Sequence, residues 1–149
     1  MLRGIHPLLG PDLLAILAAM GHGDEIAIVD ANFPAASVGR RVVEVRGAGS
    51  PAVLAAVLTL FPVDTSVVPA VLTMEVVGDP DAVPEPVADF AAAMSDHGLG
   101  DCEIGRLERQ AFYIRAQAAF AIVRTGELRP YGNVLVVKGV VNRYEPLTG

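Results

Sequence analysis

The stretch MGHGDEIAIVD, residues 20–30, places His22 between two glycines, ahead of the acid pair Asp24 and Glu25 and an apolar run that ends in Asp30. Histidine has an ordinary pKa near ~6.5, so it gives and takes protons at neutral pH. Gly21 and Gly23 remove side-chain bulk on both sides, which predicts an imidazole on an open loop that a small ligand can approach. A carboxylate at the end of a strand, as Asp30 would be, either caps the following turn or faces a crevice at the strand's carboxyl end. The plainer reading makes His22 a polar turn residue after a helix stop, and Asp24 and Glu25 solvated acids.

Other chemistries find less support. GAGSPA, residues 47–52, imitates the G-x-G-x-x-A dinucleotide fingerprint between a predicted strand and a predicted helix. Pro51 removes an N–H from the turn that would hold the pyrophosphate, so a strand-to-helix turn is the better reading. The three histidines, His6, His22 and His97, share no ligand spacing with one another or with Cys102, and no G-x-S-x-G elbow is present. No metal site is expected. A single cysteine forms no disulfide within the chain, which fits a reducing compartment. Seventeen acids against ten arginines and one lysine leave a net charge of -6, and no basic cluster exceeds Arg40-Arg41, so nucleic acid is not an expected partner.

The elements that would carry these groups alternate between helix and strand. Pro11 stands at a first helical position, and Leu13, Leu14, Ile16, Leu17 and Met20 follow at helical spacing before Gly21. EIAIVD (25–30) reads as a buried strand, ANFPAASVGR (31–40) as a loop, and RVVEVR (41–46) as a second strand. Ser50 as cap and Pro51 open a nearly all-apolar helix over 51–61, which must be buried or covered by a subunit. A strand over 67–77 carries Pro69, implying an edge or a bulge. A loop over 78–86 leads to a helix over 87–98 ending at Gly98. A short strand at 102–107, a helix over 108–119, and strands at 120–127 and 133–141 complete the chain. This is an α/β pattern, one domain over 1–149 with a mostly parallel or mixed sheet flanked by helices.

Arg3 followed by apolar residues imitates a secretion signal, but Gly10-Pro11 and Asp12 interrupt the run, and no apolar stretch approaches the ~20 residues that span a bilayer. A soluble cytoplasmic protein is expected. The apolar content of 52% together with the 51–61 helix predicts a large homo-oligomer. Read by type alone, Arg109 is a solvated arginine at a helix start, and PYGN (130–133) is a turn in which Gly132 supplies a positive φ.

Three stretches taken together, GHGDEIAIVDANFP (21–34), RQAFYIRAQAAFAIVRTGE (109–127) and YGNVLVVKGVV (131–141), resemble the L-fucose mutarotase and D-ribose pyranase family of sugar-anomer isomerases, from residue 1 to about residue 141. That resemblance implies a catalytic acid/base role for His22, and sugar contacts by Asp30, Arg109, Tyr131, Gly132 and Asn133. It also implies a homodecameric ring with sites at subunit boundaries, no cofactor, and a free monosaccharide as substrate. Interconverting anomers takes only proton transfers, which His22 can perform with Asp30 brought beside it by the strand. Gly23, Asn32-Phe33-Pro34 and the glycine of YGN resemble the fucose branch more than the ribose branch. D-ribose pyranase activity, a non-catalytic sugar-binding transport accessory protein and a purely structural ring module are the alternatives. Gln110 stands where the family usually has an aromatic, and residues 142–149 run past its usual end, so the pocket wall and the ring are the features these departures can alter.

Overall fold

The computed structural model describes residues 1–144 and 146; the end of the extension at 142–149 falls outside them. Helix α1 (Pro11–Ala19) begins with its proline where no amide partner is needed and buries Leu13 and Leu17. It is followed by β1 (Glu25–Val29), α2 (Ala35–Val38), β2 (Val42–Val45), α3 (Ser50–Leu58), β3 (Val71–Met74) and α4 (Glu85–Asp96). The last elements are β4 (Ile104–Leu107), α5 (Arg109–Ala118), β5 (Ala121–Thr125) and β6 (Val134–Val137).

The six strands form one sheet in the order β2-β5-β1-β6-β3-β4. Five run parallel; β6 lies antiparallel to both β1 and β3. Side chains alternate between faces along each strand. Ile26, Ile28, Val71, Val123, Val134 and Val136 therefore point to one side, where α1, α3 and α4 cover them. Ala27, Val29, Leu72, Met74, Ile122 and Leu135 point to the other, where Phe112 and Ala116 of α5, Ala35 of α2 and Phe33 complete a second core. The result is a three-layer α/β domain with a mixed sheet between helices.

Several local expectations change. Residues 31–40 contain the one-turn helix α2, set by Pro34 and too short to produce an apolar period. Ser50 does not cap α3: Gly49 occupies the cap position, Pro51 stands in the first turn, and the Ser50 hydroxyl is buried without a partner among the described residues. The Glu127 carboxylate receives the Ser50 backbone amide instead, so an internal anion fills the place a pyrophosphate would take. Helix α3 buries Val53, Leu54, Ala56, Val57 and Leu58 within the chain against α4 and β1, so it does not require a covering subunit. Strand β3 is interior, not an edge; Pro69 lies before it and takes no place in its ladder. The helix ending at Gly98 follows the expectation: Gly98 has φ 75, with Gly98 N–H bonded to Ser95 and Leu99 N–H to Met94.

The ends of the strands are tied by specific contacts. Lys138, just past β6, donates through Nζ to the carbonyls of Leu17 (2.8 Å) and Met20 (2.6 Å), placing a cation on the open end of α1. Gly126, just past β5, approaches β2 so closely that a Cβ there would lie 2.2 Å from the Arg46 carbonyl oxygen. Gly126→Ala must separate these backbones and should cost about 1–3 kcal/mol. Gly47→Ala, with nothing within 4 Å of the added carbon, should stay within about 0.5 kcal/mol. Urea unfolding midpoints at fixed protein concentration compare the two.

Candidate functional site

The carboxyl ends of the parallel strands carry most of the anticipated polar residues, as crevices in α/β sheets do. Asp30 follows β1 directly and Asn133 precedes β6 directly, and antiparallel pairing of Ile28 with Val134 brings them together across 103 residues. The Asp30 N–H donates to Asn133 Oδ1 at 2.9 Å, and Asn133 Nδ2 donates to Asp30 Oδ2 at 3.1 Å. Oδ1 of Asp30 accepts the Asn32 N–H at 3.0 Å. Both side chains are buried, and burial pushes the Asp30 carboxyl above its ordinary value despite the bonds from Asn32 and Asn133.

Asp30 and Asn133 form the floor of an open pocket of about 230 Å³, walled by Phe33, Met74, Tyr113, Tyr131 and Arg109 and rimmed by Leu128 and Pro130. Phe33 packs against Tyr113 with ring centroids 5.2 Å apart, which stiffens one wall. Arg109 is the first residue of α5, exposed and without an ion pair among the described residues, so its guanidinium is available to a ligand. Glu108, one residue earlier, caps this helix through the amides of Gln110 and Ala111. Tyr131, not Gly132, holds the positive φ of this turn, at 62°. Its hydroxyl accepts the Val77 N–H at 3.1 Å. Gly132 is needed for a different reason: a Cβ would lie 2.6 Å from Glu127 Cγ and 2.9 Å from Ser50 Oγ.

His22 is elsewhere. It precedes β1 whereas Asp30 follows it, and a strand of five residues at about 3.3 Å each holds them at opposite ends of the strands. The expectation that the strand brings Asp30 beside His22 within the chain is therefore wrong: an extended backbone separates its two ends. At the amino end of the strands His22 meets a residue that no motif marks. Its Nε2 lies 2.9 Å from Oδ2 of Asp64, while Oδ1 of Asp64 accepts the N–H (3.1 Å) and the hydroxyl (2.5 Å) of Ser66. The bonds from Ser66 and His22 hold the Asp64 carboxyl below its ordinary value, so it is ionised and can only accept. Nε2 then carries the proton of a neutral imidazole, and Nδ1 is the basic nitrogen. The imidazole itself is largely open to solvent, with 61% of its side chain exposed, against 9% for Asp64.

Asp64 lies 42 positions from His22, and its only local signal is the turn-forming Asp-Thr-Ser sequence. Met74 was equally invisible, since it reads as an ordinary apolar position of its strand, while Tyr113 lies within the stretch 109–127 without a role of its own there. Among the described residues no group of three or more His, Cys, Asp or Glu converges as a metal-ligand set, and no helix is long and apolar enough to cross a membrane.

The sequence profile of the RbsD / FucU transport protein family matches residues 3–141. An L-fucose mutarotase of Actinobacillus pleuropneumoniae serotype 5b is 41% identical over 140 residues, covering 94% of this chain and 97% of that protein. The fucose mutarotase of Streptococcus pneumoniae, solved in complex with L-fucose, superposes with a TM-score of 0.88 at 38% identity, over 94% of this chain and 99% of that one. Bacillus subtilis RbsD, solved with D-ribose, superposes with a TM-score of 0.73 at 26% identity, over 95% and 99%. Sequence and fold agree along nearly the whole chain: it belongs to the RbsD / FucU family.

Proposed function

We propose that this protein is a sugar mutarotase that interconverts the α- and β-anomers of a free aldose, with L-fucose as the preferred substrate. The observation that carries the reading is the pairing of His22 with the buried Asp64: a sugar-binding module has no use for an exposed imidazole whose tautomer is set by an ionised carboxylate. Ring opening needs a proton delivered to the ring oxygen and one withdrawn from the anomeric hydroxyl. Rotation about the C1–C2 bond of the open aldehyde and reclosure with the protons returned complete the exchange. Nδ1 of His22 takes the hydroxyl proton, and the imidazolium, stabilised by Asp64, returns it to the ring oxygen. Proton transfers suffice, so no cofactor is required.

Asp30, Asn133, Arg109 and Tyr131 hold the sugar hydroxyls, acids accepting and cations donating, while Gly132 lets the loop backbone come close. Met74, Phe33 and Leu128 give the pocket an apolar side that suits the methyl group of a 6-deoxyhexose. The greater likeness to the fucose-bound neighbour than to the ribose-bound one favours the same substrate, with D-ribose pyranase activity as the second reading.

Because one chain holds His22 and the sugar pocket at opposite ends of its strands, a working site takes His22 from one subunit and the pocket from the next. Such a contact joins two different surfaces and closes into a ring, consistent with a homodecamer of whole chains. The exposed Leu128 at the pocket rim is an apolar surface for this contact. The setting is cytoplasmic carbohydrate metabolism, where free sugar enters as a mixture of anomers.

Three outcomes test this reading. By line-shape NMR on equilibrium L-fucose, His22→Gln should keep fold and assembly but slow anomer exchange by about two orders of magnitude, since glutamine bonds but does not titrate. Near-normal exchange in that variant would refute the assignment. Mixing His22→Gln with Asp30→Asn and allowing subunits to exchange should restore about one quarter of the sites, whereas a site within one chain recovers nothing. Asp30 must be ionised to accept sugar hydroxyls and its pKa is raised, so L-fucose binding by calorimetry should weaken as pH falls, starting above the 3.8 of an ordinary aspartate. Asp30→Asn should remove that part of the pH dependence.

A further inference from the structure

Glu127 carries a buried charge that none of the proton transfers uses. It stands two residues past β5 and is 5% exposed. Oε1 accepts the backbone N–H of Arg129 at 3.0 Å and its Nε at 2.9 Å, and Oε2 accepts Nη2 at 2.9 Å. With Arg129 as the main cause, the Glu127 carboxyl is held below the usual glutamate range. The side chain is wedged between two glycines: a Cβ on Gly49 would lie 2.7 Å from Oε2, and one on Gly132 2.6 Å from Cγ. Its backbone carbonyl accepts the N–H of Ala31, the residue after Asp30, at 2.9 Å.

Arg129 extends the connection outward. Its Nη1 donates to Glu85 (3.0 Å) and Asp89 (2.8 Å) in the first turns of α4. The loop leading to that helix contains Val77, whose N–H bonds the Tyr131 hydroxyl. Between these anchors Tyr131 takes a left-handed φ of 62°, a conformation that a residue with a bulky side chain keeps only where its surroundings impose it. The carboxylate and guanidinium close the turn two residues before that point, and Gly132, the next residue after it, packs on the same carboxylate stem.

We infer that Glu127 is a positioning residue for sugar binding: clamped by Arg129, it holds residues 127–133 in the conformation that presents Tyr131 and Asn133 to the pocket. This rests on the mutarotase reading only in making that pocket the sugar site. Glu127 does not line the sugar pocket and makes no bond to His22 of its own chain, so its loss should weaken binding and leave the proton transfers intact.

The test uses the full-length assembly and two variants, Glu127→Gln and Arg129→Lys. Two quantities are read: the concentration dependence of L-fucose anomer exchange, and amide hydrogen exchange of the sugar-free protein at Asp30 and Val77, whose acceptors are Asn133 Oδ1 and the Tyr131 hydroxyl. Glu127→Gln should raise KM about tenfold and Arg129→Lys several-fold, with kcat within about twofold of the parent. Both amides should exchange about tenfold faster in Glu127→Gln. If burial makes Glu127→Gln unable to fold, Arg129→Lys, which keeps the charge on a half-exposed side chain, decides alone. Parental KM and parental amide exchange in Arg129→Lys overturn the inference, as does a fall in kcat at constant KM. If the parent protein does not exchange anomers, the mutarotase reading fails, while the two amides still decide whether the clamp holds the loop.

Discussion

The length of β1 governs the rest of the molecule. Five residues of extended chain, paired on both sides and buried on both faces, are rigid, and they hold His22 and Asp30 apart at opposite ends of the strand. No side-chain rotamer closes that distance. In the proposed mutarotase, a proton-transfer group at one end of the strands and a hydroxyl-binding pocket at the other would form a single site only where two copies meet, which would make assembly part of the chemistry.

Strand β6 is what equips both ends of the sheet's strands. Among the described strands it alone runs against the others, so its start lies at the carboxyl end of β1 and its finish at the amino end. At the start, Asn133 exchanges hydrogen bonds with Asp30. At the finish, Lys138 accepts Gly23 N–H on its carbonyl, donates its own N–H to Asp24, and closes α1 with its ammonium, while Val137 receives the amide of Asp64. One short antiparallel strand thus orders the pocket floor and supports the loop that carries His22 together with its carboxylate partner.

Buried charge follows a consistent rule on this scaffold: each carboxylate removed from water is given donors of fixed geometry. Glu25 takes a forked pair from Arg115, Glu127 takes one from Arg129, and Asp64 is met by Ser66 and His22. Asp30 is the exception in degree. Its donors are neutral amides, which do not offset the loss of water, and its carboxyl is left with a raised pKa at the pocket where a ligand's hydroxyls would supply the missing hydrogen bonds.

Local chemistry was legible in the residues because its causes are local. Pro11, Pro51 and Gly98 act within one turn, and two apolar faces on most strands follow from burial in a sheet covered on both sides, so helices, strands and the α/β class could be read directly. His22, Asp30, Arg109, Tyr131, Gly132 and Asn133 stood out as a set only through the order of three motifs, since each alone also reads as a turn or surface residue. Asp64 beside His22 and Met74 in the pocket wall had no such signal. Their partners lie far away in the chain and become neighbours only through strand order and direction, which no sequence window contains. The same holds for the separation of His22 from Asp30: eight residues apart along the chain, they are kept apart in space by the extended backbone between them.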